Sequence, residues 1–332
     1  MPTSKIASAG PAGLPLPQFL RECARAAADD GTAPDDGDLA RACRVFVDAG
    51  LAGLRRDRDA TDWLQYDLSF GPGGRHPVYP ALLAAVRDLL AADRIDDFFF
   101  MHKPPGLRVR FHPAPGTRPA VADAVRRHVL DWQGAGLIRD WRPACYEPEV
   151  RLFGGPVSMR SVHRMFTADS LVWLAYHGTA AAPGGSPGPD WALSLLMLRT
   201  AFDALRIVGW EDLDVWDRVR WQTGRRLGPD VTGRLDLEPL TATLRAGWVA
   251  TGQMLGLVRP ELRQAVADYR ATVAAEGDRW LREYFHTDAA ELGPRAALAY
   301  LIIFHWNRAA LPITRQSVLT EAMAAHSARP AR

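Results

Sequence analysis

The sequence predicts an α+β protein: a split βαβ, ferredoxin-like sheet unit, then a mostly helical half, with a short helical lead-in. Three observations predict it. Between residues 61 and 156, short apolar segments alternate with helix-period segments in the order strand, helix, strand, strand, helix, strand. After residue 156 only long helix-period patterns remain. Before Trp63 stand two amphipathic segments with helix signals at their ends.

Residues 1–15 read as disordered, and residues 16–60 as the helical lead-in. There LPQFLRECARAAADD and DDGDLARACRVFVDAGLAGLRRD form two helices, with Asp38 as an N-cap and Gly50 near a helix end. WLQYDLSF alternates as a strand, and GPGGRHP keeps the next loop irregular. YPALLAAVRDLLAAD is a helix packed on the sheet. FFFMHKPPGLRVRF supplies two strands around a Pro-Pro-Gly turn. A helix over PAVADAVRRHVLDWQGAG and a strand over LIRDWRPACYEP complete the sheet unit, about 61–156. Five helical patterns fill the half from about 157 to 320: VSMRSVHRMFTADSLVWLAYHG, WALSLLMLRTAFDAL, LTATLRAGWVATGQML, ELRQAVADYRATVAAEGDRWLREYF and RAALAYLIIFHWNRAAL. AAAPGGSPGPD, at 180–190, reads as a flexible loop. No internal repeat is visible, and residues 61–332 are assigned to one catalytic domain.

Composition excludes several classes of function. The 332 residues carry a net charge of +2, which gives no support for general nucleic-acid or membrane-surface binding. Three scattered cysteines (Cys23, Cys43, Cys145) lack metal-ligand spacing and suit a reducing, cytoplasmic compartment. No window approaches a membrane span, and the N-terminus lacks the apolar core of a signal peptide. Of the 40 Lys and Arg residues only Lys5 and Lys103 are lysines, a bias that fits a GC-rich coding sequence.

The strand LRVRF puts Arg108 and Arg110 on one face and Leu107, Val109 and Phe111 on the other. Two arginines beside apolar residues require an anionic or polar partner: a carboxylate such as Glu147 or Glu149, or a substrate. Three later segments bear on that choice: YEPEVRLFGGP (146–156), HRMFTADS (163–170) and FHWNR (304–308).

Together, and in this order, the four segments resemble the C-terminal elimination module of lantibiotic dehydratases. That module also occurs as free-standing thiopeptide-type bacteriocin biosynthesis proteins. The family pattern is roughly HLRLRF, YxxExxRYGG, a helix with lF-x-x-DS, and a late helix with H-x-x-x-NR. The resemblance runs from about Trp63 to Leu311. It implies removal of glutamate from glutamyl-Ser or glutamyl-Thr, using strand arginines, the arginine of RYGG and the first histidine of the last motif. Arg108 and Arg110 are present, but Leu152 and Phe153 replace the Arg-Tyr pair and Ile303 stands at the histidine position. Arg151 is one residue away, on the opposite face if that segment is a strand.

The thiopeptide branch of the family includes pyridine synthases, which need no glutamate removal, and the lost elimination residues fit that branch. Such an enzyme acts without metal or other cofactor. It joins two dehydroalanines of an azole-containing leader–core peptide by formal aza-[4+2] cycloaddition, then expels water and the leader. A stand-alone glutamate lyase and a non-catalytic leader-binding subunit of the modification complex remain alternatives. The partners implied are that precursor peptide with its leader and other enzymes of the pathway.

Tyr300, Ile303 and Asn307 share a helical face, which makes Tyr300 the nearest hydroxyl to the former histidine position, or else a core tyrosine. Tyr300, Arg110 and His305 are the catalytic candidates. Arg108, Glu149, Asp169, Ser170, Asn307 and Trp306 are the candidates for substrate binding. For Asp169, Ser170 and His305 a structural role competes. His163 could buttress Asp169 and Ser170, Tyr284 and His286 could reach the pocket from a helix end, and Trp280 or Trp306 could stack on thiazoles.

Overall fold

The computed structural model describes residues 14–28, 37–179, 189–228 and 236–325. The disorder expected for residues 1–15 therefore falls, apart from Leu14 and Pro15, outside the described residues, as does most of the loop 180–190. The chain divides into two compact units, residues 1–61 and 62–332.

In the first unit, α1 (Leu16–Ala28) and α2 (Asp38–Asp62) enclose a small core of Phe19, Cys23 and Cys43. Burial pushes the Cys23 thiol up to about 11, with Cys43 beside it, so it stays a protonated, inert core group. Gly50 does not end a helix: α2 runs straight through it.

The second unit opens with β1 (Leu64–Phe70), α3 (Val78–Ala91), β2 (Ile95–Lys103), β3 (Gly106–Pro113), α4 (Arg118–Gly134) and β4 (Ile138–Ala144). These strands form one antiparallel sheet in the order β2-β3-β1-β4, the split βαβ arrangement. Phe98, Phe99, Phe100 and Met101 are all buried, because β2 is covered on both faces. In β1, by contrast, Tyr66 and Leu68 are buried while Asp67 and Ser69 are half-exposed.

The helical half comprises α5 (Pro156–Thr179), α6 (Asp190–Ala204), α7 (Glu211–Gln222), α8 (Glu238–Val249), α9 (Thr251–Leu257), α10 (Arg263–Trp280), α11 (Pro294–Arg308) and α12 (Ile313–Ala324). A 3-10 turn (Pro260–Leu262) precedes α10 and a π-turn (Leu281–Phe285) follows it. Two of these helices are absent from the sequence expectation. α7 is charged over most of its surface and buries only Asp212, Val215, Trp216 and Val219. α12 mixes apolar and polar residues on its buried side, covering Gln316, Ser317, Thr320 and Glu321 along with Leu319, Ala322, Met323 and Ala324. The single pattern expected over 240–255 is broken at Ala250 into α8 and α9.

α5 is the axis of the fold. It is buried on almost every side, so its polar residues serve as sockets for its neighbours. β2 is an edge strand, and the N–H groups of Phe98 and Phe100 donate to Thr167 Oγ1 (3.0 Å) and Ser170 Oγ (3.4 Å). The helix thus closes an edge that would otherwise expose unpaired backbone. Further along α5, Ser161 Oγ donates to Glu276 (2.6 Å), and Ser158 Oγ accepts the Trp280 indole N–H (2.9 Å).

α11 is locked to α5 through Asp169. Arg308 Nε donates to Asp169 Oδ2, and His305 Nδ1 donates to Oδ1 at 2.5 Å. His305 Nε2 accepts the Ser194 hydroxyl (2.9 Å), whose oxygen accepts the Trp306 indole N–H (3.1 Å). The Arg308 guanidinium also lies 4.3 Å above the Phe166 ring. Two histidines cap the end of α11: His102 Nδ1 donates to the Asn307 carbonyl and His177 Nε2 to the Arg308 carbonyl, each at 2.8 Å. Burial raises the pKa of Asp169, but Arg308 and His305 together outweigh it and hold the carboxyl below its ordinary value.

Replacing Asp169 by Asn keeps the shape but leaves the buried Arg308 charge uncompensated. Arg308 Nη2 already lacks a partner among the described residues. The expected loss is about 3–5 kcal/mol of unfolding free energy, measured by denaturant titration.

Candidate active site

Arg108 and Arg110 lie on the sheet face shared with Asp67 and Gln65 of β1, their register partners. Arg110 Nε donates to Gln65 Oε1 at 2.7 Å. Its guanidinium lies 4.8 Å from the centre of the Phe99 ring and 4.6 Å from that of Tyr146. The side chain is held rigidly by neutral partners, and burial lowers its pKa. Arg108, 38% exposed, pairs with Asp67 at 3.2 Å. Neither arginine forms an ion pair with Glu147 or Glu149 among the described residues; β1 supplies the partners instead.

Over this face opens a cleft of about 260 Å³, lined by Met101, Lys103, Arg108, Arg110, Glu149, Ile303, Phe304 and Asn307. The sheet contributes the cations and α11 the opposite wall. Glu149 enters from the segment after β4, where Tyr146 Oη donates to its Oε2 at 3.4 Å. Burial raises the Glu149 pKa against the opposing pull of a backbone hydrogen bond, Arg110 and Tyr146. The Tyr146 hydroxyl is also 2.9 Å from His163 Nε2, so the carboxyl rests on a buried polar chain.

The segment 145–155 is irregular, with a turn over 150–154, and not a strand. Gly154 and Gly155 have positive φ of 77° and 112°, and a Cβ on Gly154 would sit 2.0 Å from Tyr284 Oη. That hydroxyl accepts the N–H groups of Glu291 and Leu292 at 3.0 and 3.1 Å. Tyr284 thus braces the glycine turn rather than entering the cleft, and His286 is exposed. Arg151 is exposed on the same turn, while Leu152 is half-buried.

Of the candidate site residues, Arg108, Arg110, Glu149 and Asn307 meet in one cleft, together with Ile303. Tyr300 lies one turn earlier on α11, half-buried and edge-on to Phe153 at 6.3 Å, and is not among the lining residues. His305 and Asp169 belong to the buried lock, and Ser170 serves the β2 edge. Trp306 and Trp280 are wholly buried, so neither offers a ring for a thiazole to stack on. Trp306 instead stacks on Trp216 at 6.2 Å. His163 is buried against Trp63 and braces Tyr146 rather than Asp169. Among the described residues no three His, Cys, Asp or Glu side chains gather into a metal-holding group.

Three residues are missing from the sequence expectation: Lys103, which lines the cleft, and Gln65 and Asp67, which hold its arginines. A ferredoxin-like strand order places β1 beside β3, so the polar positions alternating with Tyr66 and Leu68 mark the last two as partners of the arginines.

The family model for the lantibiotic biosynthesis dehydratase C-terminal region matches residues 63–328, and the chain belongs to that family. A solved structure similar to this chain is the tRNA-dependent lantibiotic dehydratase MibB from Microbispora sp. 107891. It shares 17% identity at a TM-score of 0.54, over 80% of this chain and 28% of MibB. The likeness is one of fold, and this chain spans just over a quarter of MibB's length. A second is TbtD, the pyridine synthase from thiomuracin biosynthesis, at 15% identity and a TM-score of 0.42, over 79% of this chain and 96% of TbtD. No curated protein sequence matches significantly.

Burial holds His102, His163 and His177 neutral, lowering their pKa values from 6.5 to about 4, 3 and 3. The unfolded chain takes up these protons below about pH 6.5 and the native state does not, so their contribution is complete above that pH and is lost on acidification. Asp97, raised by burial to about 7, and Glu149, also raised, act in the opposite sense. Between about pH 6 and 4.5 three imidazoles outweigh two carboxylates. Unfolding free energy should therefore fall by roughly 1–2 kcal/mol across that window, as denaturant titrations at both ends would read.

Proposed function

We propose that this protein is a thiopeptide pyridine synthase. It joins two dehydroalanines of an azole-containing leader–core peptide by formal aza-[4+2] cycloaddition. Loss of water and of the leader as its amide then leaves a pyridine-centred macrocycle. The observation that carries this reading is Ile303. The position that the family resemblance gives to the elimination base is apolar, yet it still lines a cleft holding Arg108, Arg110 and Glu149. No imidazole is among the residues lining that cleft, and His305 is committed to Asp169.

The cleft's groups suit the steps this reaction needs. Holding two dehydroalanines against each other supplies the effective molarity that a linear peptide lacks. Arg110, fixed by Gln65 and the two rings, donates hydrogen bonds to the amide oxygen between the reacting residues. Glu149, whose pKa burial raises, donates a proton to that oxygen while its second carboxyl oxygen takes the proton of the amide nitrogen, so the imidic acid forms and the carboxyl is restored. Two new C–C bonds close the ring. The same carboxyl protonates the departing hydroxyl and, as carboxylate, takes a ring C–H proton; a second ring proton then leaves with the leader amide, which makes the ring aromatic. The half-buried Ile303 and Phe304 keep the α11 wall of the cleft apolar. Peptide precursors and their modifying enzymes share the cytoplasm, which we assign to this chain.

Purified protein incubated with a bis-dehydroalanine, azole-containing leader–core peptide should yield, by mass spectrometry, a dehydrated macrocycle and free leader amide. An unchanged substrate mass would sink the proposal and favour a leader-binding subunit. Glu149→Gln should lower kcat by about 10²–10⁴-fold with KM little changed. Tyr300→Phe, outside the cleft, should turn over normally. Stand-alone glutamate elimination is the second reading, favoured by the retained Arg108 and Arg110. It requires loss of glutamate from a glutamylated peptide, and that outcome would replace the first.

A further inference from the structure

A second cavity, of about 300 Å³, opens beside the candidate cleft, with Asp67, Ser69, Lys103, Arg108, Asp140 and Arg142 in its lining. Lys103 and Arg108 line both cavities, so the two adjoin at the turn end of the β2–β3 hairpin. The carboxylates of this second cavity have local partners. Asp67 is held between Arg108 at 3.2 Å and Arg142 at 3.0 Å, and Asp140 Oδ1 accepts the Trp141 N–H at 2.9 Å. Lys103 is exposed at the junction and has no ion-pair partner among the described residues.

The kind of cation matters here. Of 40 Lys and Arg side chains, 38 are arginine, yet the residue shared by both cavities is a lysine. An ammonium on a flexible stem can follow a carboxylate through several positions, whereas a guanidinium fork fixes one geometry. That difference suits a site through which a peptide is threaded and later withdrawn.

We propose that the second cavity is a subsite for a carboxylate-bearing stretch of the peptide substrate, and that Lys103 is the cation that binds it. This rests on the reading that the substrate is a peptide lying in the cleft, and is independent of whether cyclisation follows. Excess positive charge at the junction recognises Glu or Asp side chains flanking the reacting residues, and the path from cleft to cavity holds them in line with the chemistry.

The test is binding, read by fluorescence anisotropy at low salt with the full chain. The probes are a fluorescein-labelled peptide of alternating glutamate and glycine and the same peptide with glutamine for glutamate. The glutamate peptide should bind at least roughly fivefold more tightly than its glutamine counterpart. Lys103→Met should remove most of that preference while leaving the thermal midpoint unchanged, and Lys103→Arg should restore only part of it. Arg87→Met, at an exposed site on α3, should leave affinity as it was. Equal affinity for the two peptides, an unaffected Lys103→Met, or an equal loss in Arg87→Met would each overturn the subsite. A protein that binds the acidic peptide yet leaves every substrate mass unchanged would refute the cyclisation alone.

Discussion

Asp169 meets Arg308 and His305 inside the helical core, and the placement of α11 depends on that meeting. A buried carboxylate facing two nitrogen donors has one low-energy arrangement, because any rotation of α11 leaves a charge without its counterpart. Ser194 and Trp306 extend the chain of hydrogen bonds to α6, and His102 and His177 hold the last carbonyls of α11. The face carrying Ile303 and Asn307 is thereby turned toward the arginine strand.

The sheet side of the cleft is equally constrained. Thr167 and Ser170 seal the free edge of β2 with hydroxyls from α5, so the same helix that holds α11 also holds the sheet. Arg110 is fixed by Gln65 and two aromatic rings rather than by a carboxylate, which leaves its charge available to a ligand. Asp67, by contrast, absorbs the charge of Arg108 and Arg142. One strand therefore presents two arginines in different electrostatic states, and Lys103, without an ion-pair partner among the described residues, stands beside them.

Much of this was legible in advance where a residue's role follows from local periodicity. The alternation in LRVRF put both arginines on one face, and the order of segments implied the split sheet. Glu149 and Asn307 came from motif positions and do meet the arginines. The failures have a common cause. Asp169, Ser170, His305 and Trp306 are polar or aromatic residues on helices buried on nearly all sides, where no amphipathic stripe reveals which neighbour they face. Alternation makes Arg151 a strand residue, whereas the glycines after it make a turn. α7 and α12 carry no long periodic pattern, because their stability comes from the packing of short mixed faces against their neighbours.

By itself the sequence determined the family, the α+β architecture, the arginine strand and the apolar residue at Ile303, since each rests on residue identity and short-range spacing. Tertiary structure decided which polar groups are sockets and which face the cleft. It turned His305 and Trp306 inward, moved Tyr300 out of the lining, and set Gln65, Asp67 and Lys103 beside the arginines. Whether a buried polar side chain is free for chemistry depends on partners more than a hundred residues away, as Asp169 and Arg308 illustrate, and spacing along the chain carries no record of them.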